Sequence, residues 1–308
     1  MRQTNKIRKG IAWLLCTVLV LGILPMLPQM SMQISAAENA ASVFVDGVEL
    51  HAGGKEYFKN GDTADSGATG TYEDHSAYYD TAGELWLNNL EAHTIKANGN
   101  LTIYVCNNQA TNTNIVTATQ NETAIEVTGY LTIRYGGYGG GTGSLTVESD
   151  GKEAIQAGSG MTVSDGVEVK ARAKSGATAI SSGGVLKIDG IRTKLEAAGD
   201  GSTGKGIFAQ QSIYVKNSAV LTAFGGAAAY ESPSGIDKSG YGYEDYNVFT
   251  GDAAPGTQAA KDTVLDGYKY IRIEPTDVAN VKTLTELQAA AQNQYILSLI
   301  HISEPTRH

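Results

Sequence analysis

The chain has 308 residues, with 37 Gly, 6 Pro, 42% hydrophobic and 18% charged residues, a balance that fits a glycine-rich, β-leaning globular protein and not a disordered chain. Its 2 cysteines exclude a disulfide framework and a thiolate zinc site, each of which needs several clustered thiols. A formal charge of −9 argues against nucleic acid as a partner, because Lys and Arg must neutralise the phosphates.

Residues 1–37 read as a secretory signal peptide. A basic start (Arg2, Lys6, Arg8, Lys9) precedes an apolar run from Ile11 to Leu27, and Ser35-Ala36-Ala37 fits a small-residue cleavage site. The alternative is a permanent membrane anchor, since the run approaches the roughly 17–20 apolar residues that span a bilayer. Pro25 and Pro28 end the run and favour cleavage. Leu15 before Cys16 is not the small residue that precedes a lipoprotein cysteine. The expected location is extracellular or on a bacterial cell surface, with Cys106 then unpaired.

From Ser42 to Asn89 the stretches VFVDGVEL and AYYDTAGELWLNN read as opening strands, with Trp86 as a plug for the core. A self-similar unit then recurs five times, starting at Thr94, Ala124, Ala154, Ala179 and Gly206, with spacings of 30, 30, 25 and 27 residues. Three apolar positions stay in register: Ile95, Leu101, Ile103; Ile125, Leu131, Ile133; Ile155, Met161, Val163; Ile180, Leu186, Ile188; Ile207, Ile213, Val215. A second short strand follows each unit, beginning at Val116, Leu145, Val169, Leu195 and Leu221.

Alternation of apolar and polar residues within these strands gives each one a dry face and a wet face. Strands this short cannot bury the dry face alone, whereas stacked copies can. The expected fold is therefore all-β, a right-handed parallel β-helix, or β-solenoid, of about five or more coils over 42–275. Gly129, Gly160 and Gly183 fall between strands, where corners suit residues without a Cβ. From Tyr230 to Gly267 a Tyr/Gly-rich insertion interrupts the repeat, and Lys269 to Ile273 reads as a closing strand.

Thr283 to Gln292 reads as a short helix, with Thr283 and Glu286 in capping-box spacing and Leu284, Leu287 and Ala291 on one face. Residues 276–296 are expected to be a linker and the start of a truncated second module. The last segment, 297–308, reads LSLIHISEPTRH and resembles a translated adapter used in preparing sequencing libraries.

The A-I-x-x-x-G-x-L-T-I unit followed by L-T-V or L-T-A, after the opening G-V-E-L and Y-Y-D-T-A-G-E-L-W-L-N-N, resembles secreted carbohydrate-binding-domain β-helix proteins of Gram-positive, often gut-dwelling, bacteria. That group lies within the pectate-lyase-like superfamily. The resemblance covers about Ser42 to Pro275 and implies surface display and contact with polysaccharide, in some relatives with calcium. It transfers no binding residue, because the recurring residues are those that form coils.

Aromatic faces bind sugar rings through their apolar C–H side, with nearby polar groups fixing the hydroxyls. The ligand candidates are therefore Arg134, Tyr135 and Tyr138 around the RYGGYGGGTG loop, and Tyr230, Tyr241, Tyr243 and Tyr246 in the late insertion. Packing of these tyrosines onto the rod is the competing reading. Asp237, Glu244 and Asp245 are the metal candidates, as oxygen donors for calcium. The Asp-Gly pairs at 150, 165, 189 and 200 read first as turns.

Catalysis finds less support. No G-x-S-x-G elbow occurs, and His51, His75 and His93 all precede the coils. Glu126, Glu148, Asp189 and Glu196 are acids whose pairing for glycoside hydrolysis depends on their separation. Gly199 to Lys205 imitates a phosphate loop, but Gly206 replaces the Ser or Thr that holds magnesium. The outward column Thr102, Thr132, Thr162, Lys187, Tyr214 is a ladder with β-propensity that also offers a flat wall. The expected function is a non-catalytic, adhesin-like solenoid that binds polysaccharide or host glycan as a monomer. It would need no cofactor beyond a possible calcium, and would touch a membrane only through its leader or a lost C-terminal anchor. The alternatives are a stalk that displays a missing module and a calcium-dependent polysaccharide lyase or glycoside hydrolase.

Overall fold

The computed structural model describes residues 38–54, 56–61, 75–106, 113–119, 121–137, 142–238, 246–260 and 262–276. The expected signal segment, the helix expected over 283–292 and the adapter-like tail lie outside them.

Each of the five repeats folds as one coil of three short strands, and equivalent strands stack in parallel to build three walls. The first wall contains Ile95–Ala97, Ile125–Val127, Ile155–Ala157, Ile180–Ser182 and Lys205–Ala209. The second contains Leu101–Val105, Tyr130–Tyr135, Gly160–Ser164, Leu186–Asp189 and Ile213–Lys216. The third contains Asn114–Thr117, Ser144–Asp150, Glu168–Lys174, Lys194–Gly199 and Val220–Gly225. The parallel β-solenoid expected from the repeat is thus the observed architecture.

The interior is built by register. Ile95, Ile125, Ile155, Ile180 and Ile207 are successive cross-strand partners, and every one is fully buried. Leu101, Leu131, Met161, Leu186 and Ile213 form a second file on the adjoining wall. Each branched side chain covers the one below it, so burial grows with every coil added. The corner between the first two walls is tight: a Cβ at Gly183 would collide with the Gly158 carbonyl one coil below.

The third wall departs from expectation in its first coil. Sequence similarity aligns Val116 with Leu145, but Leu145 pairs with Asn114, and Val116 pairs with Val147. A slip of two residues keeps every side chain on its face, so the alternation alone does not reveal it. Asn114 is fully buried, and its amide replaces missing backbone partners. Oδ1 accepts from the Leu90 N–H at 3.0 Å, and Nδ2 donates to the Ser144 carbonyl at 3.2 Å.

Antiparallel strands cap the first two walls at the N-terminal end and the third wall at the C-terminal end, while the other walls finish on parallel strands. Ser42–Val45 and Val48–His51 form a hairpin whose Asp46-Gly47 turn has φ of 51° and 80°, and the hairpin pairs onto Ile95–Ala97. On the second wall Glu84–Leu87 continues the stack in parallel, followed by Ala77–Tyr79 and Glu56–Phe58 in antiparallel order. Leu50, Phe58, Tyr79 and Leu90 plug the interior there. Trp86, expected as a plug, is instead half-buried on the outside, because Leu85 and Leu87 take the inward positions. At the other end Tyr270–Pro275 pairs antiparallel with Val220–Gly225, and Tyr246–Gly251 and Thr257–Ala259 extend that sheet.

Candidate functional site

The outer face of the second wall carries one continuous column of side chains. In register order it reads Tyr57, Tyr78, Trp86, Tyr104, Arg134, Ser164, Asp189, Lys216. Its first four members are aromatic and each is half-buried. The rings of Tyr78 and Trp86 stack at 5.8 Å and 12°, and those of Trp86 and Tyr104 at 4.1 Å and 9°. Tyr57 continues the file at 5.8 Å from Tyr78 and leans on buried His75 at 4.0 Å. At the other end the Arg134 guanidinium lies 5.3 Å above the Tyr104 ring, a cation–π cap. Four inter-strand steps at ~4.8 Å make this strip about 19 Å long.

Polar groups line it. Asp80 Oδ2 accepts from the Trp86 indole N–H at 3.2 Å, while Asp80 Oδ1 accepts from the backbone N–H groups of Ala82 and Glu84. Tyr104 donates to Glu84 at 3.3 Å, and Arg134 pairs with Asp165 at 2.6 Å. Burial, then the Glu84 and Asp80 charges, push the Tyr104 hydroxyl above its ordinary range, against the opposing pull of Arg134. The Arg134 Nε is buried without a hydrogen-bond partner. Beside the strip runs the threonine column, with Glu84, Thr102, Thr132, Thr162, Lys187 and Tyr214 in the expected register.

The glycine-rich loop begins against the same strip. A Cβ at Gly136 would lie 2.9 Å from Tyr104 Cβ and 3.1 Å from the Trp86 ring, so only glycine lets the chain pass there. Arg134 therefore stands where the aromatic column and the loop meet.

The sequence-derived candidates do not form one site. Arg134 faces outward as described. Tyr135, the next residue, alternates inward, pairs with Val105 and packs partly against the core. Tyr230 is buried as the register partner of Ile207, where it ends the interior file; burial and the bonded Asp266 carboxylate raise its hydroxyl pKa. Tyr246 is also buried, and its hydroxyl accepts from the Ser218 N–H at 3.1 Å. These two rings offer a ligand no free face. Tyr138, Tyr241 and Tyr243 lie outside the described residues, as do the metal candidates Glu244 and Asp245. Asp237 is the register neighbour of Tyr214. Among the described residues no group of three or more His, Cys, Asp or Glu side chains is arranged to hold a metal ion.

The Asp-Gly pairs do serve as turns. Asp165 and Gly166 both adopt positive φ, 59° and 82°. Their carboxylates bond within the rod: Asp150 to Ser175, Asp165 to Arg134, Asp189 to Lys187 and Asn217, and Asp200 to Arg172. Burial works against ionisation of Asp189, but the Lys187 and Asn217 hydrogen bonds and the charges of Lys187 and Lys216 outweigh it and lower its pKa. The acids weighed for hydrolysis are dispersed, with Glu126 on the first wall, Asp189 on the second, and Glu148 and Glu196 on the third.

A separate concavity of about 390 Å³ sits at the opening hairpin, lined by Phe44, Asp46, His93, Lys96 and Glu122 among others. Lys96 pairs with Glu122 there at 3.6 Å, and His93 Nδ1 lies 3.4 Å from the Asp46 carboxylate.

Comparison of the chain with protein-family models, curated proteins and solved structures finds no match.

Proposed function

We propose that this chain is an exported, non-catalytic β-solenoid that binds a glycan along its second wall. The observation that carries the reading is the Tyr57–Tyr78–Trp86–Tyr104 column on the wet side of the sheet. Core formation does not require aromatic residues there, since the same column continues as Ser164, Asp189 and Lys216 over coils that bury their interiors equally well. Because the rings stack face to face, they present their edges as a ribbed apolar strip against which the C–H groups of sugars can pack, while Asp80, Glu84, Thr102 and Thr132 lie within reach for hydroxyls. Export rests on the sequence of residues 1–37.

The direct test uses Trp86 itself. In Trp13→Phe protein it is the sole indole, so a glycan that covers the strip changes its fluorescence with a saturable titration. Retardation in gels containing the same glycan should disappear in Trp86→Ala. A panel of plant, microbial and mucin-type glycans that produces neither effect would sink the proposal.

A second reading, a stalk that spaces another module from the cell, is favoured by one specific feature. The Trp86 ring has Tyr78 on one face and Tyr104 on the other, so the column also serves cohesion of the stack.

A further inference from the structure

The charges around the aromatic strip restrict which glycan it takes. Resting on the binding reading above, we infer that the strip selects linear glycans that are neutral or carry free amines, and rejects polyuronates.

Three carboxylates touch the strip or its cap. Asp80 is bonded to the Trp86 indole, Glu84 to the Tyr104 hydroxyl, and Asp165 to Arg134. Arg134 is the one cation in contact with these rings among the described residues, and Asp165 at 2.6 Å already neutralises it. The remaining carboxylates, Asp80 and Glu84, are uncompensated by any ion pair among the described residues. Burial is the main cause of the raised Tyr104 hydroxyl pKa, and the Glu84 and Asp80 charges add to it while Arg134 opposes it. The chain as a whole is also negative, with a net charge of −9.

A polyuronate carries one carboxylate per sugar and would place several beside Asp80 and Glu84. Like charges within a Debye length, about 8–10 Å at ordinary salt, repel, and the half-buried setting weakens screening. Its natural partner, Arg134, would first have to leave Asp165. An amine-bearing sugar meets the opposite situation, since an ammonium beside Asp80 or Glu84 finds a carboxylate acceptor next to an aromatic edge. The 19 Å strip therefore reads as an apolar track with an acidic border.

The test titrates the full-length Trp13→Phe protein with three hexasaccharides of similar length: N-acetylated chitohexaose, its deacetylated form and hexagalacturonate. The readouts are Trp86 fluorescence and calorimetry. The expected order of affinity is deacetylated, then acetylated, with hexagalacturonate at least tenfold weaker than either. Raising salt from 20 to 300 mM should weaken the deacetylated ligand and leave the acetylated one nearly unchanged. Glu84→Gln should reduce the preference for amines severalfold, and Asp165→Asn, which releases Arg134, should improve hexagalacturonate binding while thermal unfolding stays close to that of the parent. Hexagalacturonate binding as tight as the acetylated hexamer overturns the charge selection and leaves glycan binding standing. Failure of all three, together with the broad panel above, overturns both.

Discussion

Trp86 and Tyr104 lie face to face on neighbouring strands, with ring centroids 4.1 Å apart and planes 9° from parallel. That separation is close to the ~4.8 Å repeat of a parallel stack, so two rings in one register column fall into contact without distortion. The pair belongs at once to the cohesion of the rod and to its outer surface, and substitutions can separate the two roles.

Trp86→Ala should lower the free energy of unfolding by about 1–2 kcal/mol, the combined loss of a ring–ring contact and half-buried area. Urea unfolding followed by far-UV circular dichroism measures this. Trp86→Phe should recover most of the stability by keeping a ring in the stack. If glycan retardation survives Trp86→Ala unchanged, the column serves cohesion alone and the stalk reading gains.

Ile155 sits at the middle of the first interior file, fully buried between Ile125 and Ile180. Ile155→Ala should cost about 2–5 kcal/mol, because neighbours held by two adjacent coils cannot collapse into the cavity. Gly183→Ala should be as damaging without removing an atom, since its Cβ would meet the Gly158 carbonyl. Both should move the urea midpoint, whereas Thr162→Ser on the wet face should leave it within about 0.5 kcal/mol.

Asn114 tests the buried amide in the first coil. Asn114→Leu keeps the volume but strips the Leu90 N–H and Ser144 carbonyl of their partner. Each buried group left unpaired costs about 1–3 kcal/mol, so the substitution should destabilise although it is more apolar. Faster amide hydrogen exchange at Leu90 is the local signature, and an unchanged exchange rate would refute the role assigned to Asn114.

Tyr79 provides an alkaline limb. Its hydroxyl is fully buried, donates to the Ala40 carbonyl at 2.5 Å, and is pushed up to about 12 by burial and then by the Asp80 charge. In the unfolded chain it titrates near 10, so between roughly pH 10 and 12 the folded state holds more protons and stability falls as pH rises. Below pH 10 this contribution is fully present. Tyr79→Phe should lose about 1 kcal/mol at pH 7 and show a shallower decline between pH 10 and 12. Stability profiles from chemical unfolding at each pH make the comparison.

Cys106 is buried, and burial pushes its thiol up to about 11. In Cys16→Ser protein at pH 8 a thiol reagent should label it slowly in the folded state and at least a hundredfold faster in urea, since both access and the thiolate are withheld. Rapid labelling of the folded protein would contradict the close packing around Gly136 and Trp86.

The solenoid was legible because its cause is local. An apolar residue at every second position and five copies at near-constant spacing leave few other ways to shield the aliphatic side chains, and Ile95, Ile125, Ile155, Ile180 and Ile207 fall into one file as the repeat requires. The facing of single aromatic residues was legible too, by parity. Trp86 lies between Leu85 and Leu87 and must point out, whereas Tyr135 follows Leu131 and Ile133 in step and must point in. Residue type alone carries no such signal, because tyrosine suits core and surface alike. The two-residue slip at Asn114 was invisible to any such pattern, because it preserves parity.

Sequence by itself thus determined the coil, its repeat and the division of each strand into dry and wet sides, since these follow from neighbours one or two residues apart. Only the tertiary structure decided that Tyr57, Tyr78, Trp86, Tyr104 and Arg134 share one column. Their adjacency arises where two antiparallel reversals meet the first turns of the solenoid, and that register is set by long-range backbone hydrogen bonding. Spacing along the chain carries no record of it.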